Sequence, residues 1–185
     1  GDDRRLLGLL PARAGDQLAA PVNRVARQAR AIRARHGAGV AGLTMGAAPD
    51  WTLVIHGGAG MMTRDRIATE LDTGARSGLG TALDAGSAIL ASGGTAMDAV
   101  EAAVRVLEDD PHFNAGRGAA LSHEGVAELD AAIMDGSSRA AGAVAGVTAT
   151  RNPVSLARAV MTESRHVLLG GEGADQFSRD HGLEQ

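Results

Sequence analysis

The feature that most constrains the fold of this chain is its abundance of glycine combined with a near absence of aromatic side chains. The 185 residues include 26 glycines but only three aromatic residues, Trp51, Phe113 and Phe177. The core must therefore be built from Ala, Val, Leu, Ile and Met. Glycine at this density predicts many tight turns and close approaches between backbone segments. The hydrophobic fraction of 44% is sufficient for a buried core.

Composition also excludes several classes of site. The chain has no cysteine, which rules out disulfides and thiolate metal sites within it. Its net charge is −4, so its overall charge gives no reason to expect nucleic-acid binding. No apolar run approaches the roughly 20 residues that a membrane-spanning helix needs.

The composition changes near residue 50, which divides the chain into an extension, 1–50, and a domain, 51–185. The extension contains eight arginines and four aspartates, a charge of +4, so the remainder carries −8. We interpret the extension as an arginine-rich segment that is either solvated or poorly ordered. Two alternatives stay open: a degenerate secretory leader, or an upstream stretch that precedes a natural start at Met45. We expect a cytoplasmic location rather than a periplasmic one.

Hydrophobic spacing and turn signals predict the elements of the domain. Residues 65–92 have helical spacing that ends at Gly93-Gly94. Thr95, followed three residues later by Asp98, predicts the N-cap of a second helix, which Pro111 ends. Asn152-Pro153 predicts the start of a helix that runs to about Glu163. Further predicted elements are strands at Thr52–Ile55, Ala119–Leu121, Val126–Met134, Ala143–Thr150 and Val167–Leu169, the last of them buried, and a helix at Ala174–Asp180. This order favours strands stacked as sheets with helices outside.

The first segment that suggests chemistry is Val54–Gly60, with the sequence VIHGGAG. A buried strand that ends in glycines allows backbone N–H groups to face a ligand or a second chain closely. The alternative is a tight turn between a strand and a helix.

The second segment is Leu107–Gly118, with the sequence LEDDPHFNAGRG. Three consecutive acids end a helix, where the helix dipole disfavours them, and a bound cation would offset that cost. A glycine-rich loop can also turn several carbonyls towards a hard cation. The alternative is a solvated acidic helix end. Asn114 is the best candidate in this segment for an oriented polar group.

The third segment is Glu128–Gly136, which contains Asp130 and Asp135. Because these aspartates are five positions apart, they would point to opposite faces of a strand and could form a pair only across a bulge. The alternative for Asp135-Gly136 is turn chemistry.

Together these segments resemble the N-terminal portion of one family, the plant-type asparaginases or isoaspartyl peptidases. The resemblance covers residues 51–185 and is specific. The matching stretches are TLVIHGGAG at 52–60, GGTAMDAVEAAVRVLEDDPHFNAGRGA at 93–119, ELDAAIMDG at 128–136, GAVAGV at 142–147, NPVSLARAVM at 152–161 and HVLLGGEGA at 166–174.

The resemblance implies an α+β fold, a four-layer αββα sandwich of the N-terminal-nucleophile hydrolase type, of which this chain would form about half. Members of the family are made as a precursor that cleaves itself before a threonine. That threonine then attacks the side-chain amide of asparagine or the isopeptide carbonyl of a β-aspartyl dipeptide. Its α-amino group, with an unperturbed pKa near 8, takes the proton.

Roles for individual residues follow from the same resemblance. The loop at 107–118 matches a sodium-binding loop whose ligands are backbone carbonyls. By position these ligands are the carbonyls of Leu107, Glu108, Asp110, Phe113, Ala115 and Arg117. Asn114 matches an asparagine near the active centre. His56, Gly57 and Gly58 match a glycine loop beside the nucleophile that affects self-cleavage. No organic cofactor is implied.

No threonine of residues 1–185 has the sequence context of the family's nucleophile. We therefore expect this segment to be an α-subunit part, inactive alone, that requires a β-subunit segment and assembles as a dimer of αβ heterodimers acting on a small amide or dipeptide. Two other interpretations remain: a threonine aspartase-like protease, and a non-catalytic assembly or binding module.

Overall fold

A computed structural model describes residues 50–57 and 69–185. The predictions for the extension 1–49, for Gly58 and for the first part of the helix at 65–92 lie outside the described residues.

Two helices form an antiparallel pair at the start of the described domain. Helix α1 spans Thr69–Ala91 and helix α2 spans Ala96–Asp109. Between them, Gly93 adopts φ +85° and its N–H donates to the Leu90 carbonyl, an ordinary glycine stop of a helix. The predicted cap of α2 is confirmed, because the Asp98 N–H donates to Thr95 Oγ1 at 3.1 Å and the Thr95 hydroxyl donates to Asp98 Oδ2 at 2.7 Å.

A small mixed sheet follows, with strands β1 (Leu129–Met134), β2 (Ala141–Val147) and β3 (Leu168–Gly170) in the order β1-β2-β3. Strands β1 and β2 are antiparallel, and β2 and β3 are parallel. A parallel pair needs a crossover, and helix α3 (Pro153–Glu163) supplies it. Helix α4 (Gly171–Asp180) leads away from β3.

The main core lies between the sheet and the helices α3 and α4. Its fully or nearly fully buried members are Ile133, Val144, Val147, Val154, Leu156, Ala157, Val160 and Ala174. Helix α3 contacts β2 through its backbone: a Cβ placed on Gly142 would lie 2.6 Å from the Met161 nitrogen and would overlap the Ala157 carbonyl oxygen. Glycine in this strand thus brings a helix and the sheet closer than any side chain would allow, as the composition predicts.

A second core joins the two helices of the pair to the loop after α2. It consists of Ala75, Ala82, Ala103, Leu107 and Phe113, with Ile55 and Leu79 packed against it. The helices approach closely at Gly86, where an added Cβ would lie 2.9 Å from the Ala99 carbonyl oxygen.

The other face of the sheet is uncovered in the described part of the chain, and it is apolar apart from the exposed Asp130 near the start of β1. Alternation along the strands places Ala132, Met134 and Leu168 on this face, and Met134 and Leu168 are 57% and 59% exposed. The half-buried Ala143 and Ala145 lie between them on β2.

Two strand predictions are wrong. Residues 51–57 have no regular secondary structure, so the strand predicted at Thr52–Ile55 is not formed. The segment Val167–Leu169 is not a buried strand: β3 begins at Leu168, and Val167 is 63% exposed.

The other predicted elements are found with shifted bounds. The pairing predicted between Ala119–Leu121 and the following strand is reduced to one bridge, from Leu121 to Ala127, and the regular strand begins only at Leu129. No helix among residues 50–57 and 69–185 is long and apolar enough to cross a membrane.

Candidate functional site

The loop after α2 closes on itself. Asp110 organises the loop, since its Oδ1 accepts the His112 N–H at 2.9 Å and its carbonyl accepts the Phe113 N–H at 3.2 Å. The Ala115 N–H donates to the Phe113 carbonyl at 2.9 Å, and the Gly118 N–H donates to the Ala115 carbonyl at 3.0 Å. The loop ends in a short 3₁₀ helix, Gly116–Gly118.

Backbone carbonyls of this loop lie against its glycines. Gly116 has φ +48°, and an added Cβ would overlap the Glu108 carbonyl oxygen. A Cβ on Gly118 would overlap the Phe113 carbonyl oxygen and lie 2.8 Å from that of Pro111. In a helix the Leu107 carbonyl would accept the N–H of the residue four positions later, but that residue is Pro111, which has no N–H. The loop is therefore a compact turn that offers carbonyl oxygens, and it is not an extended strand.

The side chain of Glu108 is buried beneath this loop. It is 3% exposed, and its Oε1 accepts the Val154 N–H of helix α3 at 3.0 Å. Its Oε2 has no hydrogen-bond partner in the described chain. Burial raises the pKa of the Glu108 carboxyl to about 7, although the hydrogen bond from Val154 and the nearby Asn152 side chain oppose the shift. An orphaned carboxylate oxygen in a loop rich in carbonyls is a chemical environment that suits a cation.

Asn114 lies at the exposed turn of the loop. Its Oδ1 accepts the Ala120 N–H at 2.7 Å, and this bond fixes the segment that follows the loop to the turn at Asn114. The carboxamide is therefore oriented by a backbone contact, as a polar group in a binding site must be.

The structure brings the His56-Gly57 segment onto the same loop. A Cβ on Gly57 would lie 2.7 Å from Cε1 of Phe113 and 3.1 Å from Cδ2 of Leu79. Phe113 is 4% exposed, so its ring fills the space between the two segments. His56 is exposed. Gly57 thus contacts the ring of the residue that immediately precedes Asn114.

Sequence reasoning missed the part of helix α1 on which this loop rests. Gly74 faces the ring of His112, and Gly78 faces the Asp110 carboxylate and Phe113, whose Cε2 would lie 2.8 Å from an added Cβ. His112 Nδ1 lies 2.6 Å from Asp110 Oδ1. The spacing of four residues between Gly74 and Gly78 was the available signal, because it puts both glycines on one face of a helix.

A cleft of about 340 Å³ adjoins the loop and was also missed. Arg151 forms its charged wall, with Nε donating to Asp109 Oδ1 at 3.0 Å and Nη1 donating to Glu184 Oε1 at 2.5 Å. The cleft is lined by Asp109, Gly116, Arg117, Leu129, Thr148, Ala149, Thr150, Arg151 and Gln185. These residues come from separate elements, so no local sequence pattern marks them as neighbours.

The aspartates of the third segment do not form a pair. Asp130 Oδ1 accepts the Gly146 N–H at 2.8 Å, at a bulge near the start of β1. Asp135 lies beyond the other end of β1 and organises the turn to β2. The pKa of Asp135 is lowered to about 2 by hydrogen bonds from the Ser138 hydroxyl and from the N–H and hydroxyl of Ser137. The turn interpretation of Asp135-Gly136 is confirmed. Among the described residues, no group of three or more His, Cys, Asp or Glu side chains could hold a metal ion.

Comparisons with known proteins point in one direction. The sequence model of a family described as "Asparaginase" matches residues 49–185. The chain is 46% identical over 133 residues to the isoaspartyl peptidase/L-asparaginase of Mus musculus, which covers 72% of this chain and 40% of the relative. It is 44% identical to the isoaspartyl peptidase of Escherichia coli over 133 residues, an alignment that covers 72% of this chain and 41% of that relative. It is 46% identical to the plant-type L-asparaginase of Pyrococcus abyssi over 133 residues, with 72% and 42% covered. The chain thus spans about two fifths of the length of the curated relatives it matches.

Proposed function

Since this chain belongs to the asparaginase family, whose model matches residues 49–185, we propose that it is the α-subunit part of an amidohydrolase. The substrates proposed are L-asparagine, at its side-chain amide, and β-aspartyl dipeptides. The relatives named isoaspartyl peptidase or L-asparaginase motivate both substrates. One structural observation carries the proposal: Gly57 and the Asn114 loop meet on the ring of Phe113, so two segments assigned to the active centre by sequence are neighbours.

The proposed reaction uses a threonine that is the first residue of a second segment, the β-subunit, freed by self-cleavage of a precursor. The threonine hydroxyl attacks the amide carbonyl, and the α-amino group of the same residue accepts the proton. This base suits neutral pH because an α-amine titrates near pH 8. The proposed assembly is a dimer of αβ heterodimers.

The residues of this chain act as support in that reaction. The backbone of His56-Gly57 would line the space beside the threonine, where a side chain on Gly57 would be blocked by Phe113. Asn114 would present its carboxamide to the active centre while its Oδ1 stays bonded to the Ala120 N–H. Neither role requires a charged group in this chain.

We also propose the four-layer αββα sandwich as the complete fold. The supporting observation is the uncovered face of the sheet, where Met134 and Leu168 are 57% and 59% exposed. A sheet face this apolar needs a cover, because large exposed apolar patches are rare on soluble domains. Helices α3 and α4 cover the opposite face, so a second sheet is the layer that the sandwich would add.

A structural sodium ion is proposed for the loop at 107–118. Its ligands would be the backbone carbonyls of Leu107, Glu108, Asp110, Phe113, Ala115 and Arg117. The buried Oε2 of Glu108 supports a cation nearby through its charge and not as a ligand, and the Glu108 carbonyl that lies against Gly116 belongs to the proposed carbonyl set. The ion would hold the loop, and thereby Asn114, in one conformation.

The test uses the full-length gene product. Release of ammonia from L-asparagine, and of aspartate from β-aspartyl-leucine, is measured together with the N-terminal residue of any cleaved fragment. We expect activity together with a fragment that begins with threonine. Replacing Asn114 by alanine should lower kcat/KM about 10²-fold, the usual cost of losing an oriented polar group at a reacting centre.

Gln176→Ala serves as the matched control, because it removes an exposed carboxamide from helix α4 instead. It should leave kcat/KM unchanged. A full-length protein that folds but hydrolyses neither substrate and yields no threonine fragment would contradict the proposed function.

A further inference from the structure

We infer that Glu108 is a positioning residue whose carboxylate links the proposed cation loop to the N-terminus of helix α3. The inference rests on the proposed sodium loop, and it adds that sodium binding there is coupled through Glu108 and helix α3 to the sheet. No ligand role of the carboxylate is implied.

Helix α3 does not cap itself. Its N-cap residue, Asn152, makes no side-chain cap hydrogen bond, and Pro153 at the first position has no N–H. Val154 therefore carries the first N–H of the helix, and Glu108 Oε1 accepts it at 3.0 Å from 46 residues away in the sequence. A carboxylate is well suited to this place because the N-terminus of a helix is electropositive.

The main chain of the same residue, in the last turn of α2, lies directly against the loop. The Glu108 carbonyl oxygen and Cβ lie against Gly116, whose added Cβ would be 2.8 Å from the Glu108 Cβ. The backbone of Glu108 and its carboxylate are joined by only a short side chain that is 3% exposed. A change in the position of the loop backbone must therefore change the position of the cap.

Helix α3 transmits such a change to the sheet. The helix backbone lies directly on Gly142 of β2, with the Met161 nitrogen 2.6 Å from where a Cβ would be. Because the contact is between backbones, no side chain can absorb a displacement. An ion held by the loop carbonyls would thus stabilise the first turn of α3, and by reciprocity an ordered first turn would favour the ion.

The first experiment needs no variant. Amide hydrogen exchange of the full-length protein is compared in sodium chloride and in choline chloride at the same ionic strength. We expect sodium to slow exchange at Val154 and Ser155 about fivefold or more, the lower range of ordinary coupling between sites. Amides in the middle of helix α4, which follows β3, should change much less.

Two uncharged variants separate the hydrogen bond from the charge. Glu108→Gln keeps an oxygen that can accept the Val154 N–H, whereas Glu108→Leu has a similar size and no acceptor. We expect Glu108→Gln to keep the sodium-dependent protection of Val154 and Glu108→Leu to lose it. A loss shared by both variants would mean that the carboxylate acts through its charge alone, which would overturn the inference.

Glu101→Gln is the matched control. Glu101 lies on α2 about two turns before the loop and also bonds to α3, accepting the Ser155 hydroxyl at 2.6 Å and pairing with Arg158. This variant should lose stability but keep the sodium response. If Glu108→Leu does not fold, the wild-type exchange measurement still decides.

The outcomes distinguish the inference from the proposal beneath it. If sodium changes neither the thermal stability of the wild type nor any exchange rate, the proposed sodium loop is wrong, and the inference falls with it. If sodium stabilises the wild type but leaves Val154 exchange unchanged, the loop stands and the link through Glu108 is refuted.

Discussion

Replacing Gly142 by alanine tests the close contact between helix α3 and the sheet. An added Cβ would lie 2.6 Å from the Met161 nitrogen and 2.8 Å from its Cβ, and it would overlap the Ala157 carbonyl oxygen. Carbon atoms in contact are separated by about 3.5 to 4 Å, so the helix must recede by roughly 1 Å. The atoms in the way belong mostly to the helix backbone, so rotation of a side chain cannot relieve the overlap.

The expected cost follows from that displacement. Overpacking of a well-packed core costs about 1 to 3 kcal/mol, and the upper part of this range applies where backbone atoms must move. The intrinsic gain from replacing a strand glycine is about 0.5 to 1 kcal/mol. We therefore expect Gly142→Ala to lower the free energy of unfolding by about 2 kcal/mol.

Gly170→Ala is the control for this prediction. Gly170 belongs to β3 of the same sheet, has an extended φ of −141°, and an added Cβ would meet only the Ala145 carbonyl oxygen at 3.4 Å. The free energy of unfolding, measured by urea denaturation of the full-length protein, should change little for this variant, because the gain at a strand position is offset by the loss of glycine at the N-cap of α4. If Gly142→Ala and Gly170→Ala had the same stability, the close contact derived for α3 would be wrong.

Three further predictions concern other contacts. Gly78→Ala, which overlaps the Asp110 carboxylate and Phe113, should lower the melting temperature, whereas Gly80→Ala on the same helix has nothing within 4 Å and should raise stability by up to about 1 kcal/mol. Arg158→Ala removes a guanidinium that bridges two acids of α2 and should cost about 1 kcal/mol, less at high salt. The Glu108 carboxyl, whose pKa is about 7 when folded and 4.5 as its ordinary value, binds its proton more tightly in the folded state. The free energy of unfolding in sodium-free buffer should therefore fall as pH rises from about 4.5 to 7, by at most about 3 kcal/mol. Urea titrations of Glu108→Gln should show no such fall, and a fall that persists in the variant would refute the assignment of this pH dependence to Glu108.

The helices were predictable from the sequence because their signals are local. Each start signal, the cap formed by Thr95 and Asp98 and the pair Asn152-Pro153, occupies only a few consecutive residues. Helices α2 and α3 begin where these signals predict. The strand at Thr52–Ile55 was predicted wrongly because a short, mostly apolar run shows only that a segment can pair. Whether it pairs depends on a partner that the sequence pattern does not name.

The candidate site was predictable only in part. The segments carrying Gly57 and Asn114 were found by motif, and the structure adds that Phe113 joins them. The remote cap formed by Glu108 could not be predicted, because 46 residues separate the carboxylate from Val154. Sequence patterns report periodicity and turns, whereas such contacts depend on how whole elements pack.

The bulge between β1 and β2 has a consequence for how reliably this sheet can form. Asp130 holds the N–H of Gly146, which has φ +62°, and the pairing shifts between Leu129 and Ala131. If β1 slid by a single position, this carboxylate would turn to the apolar face of the sheet that packs against helices α3 and α4. The hydrogen bond between Asp130 and Gly146 therefore favours one register of β1 against β2.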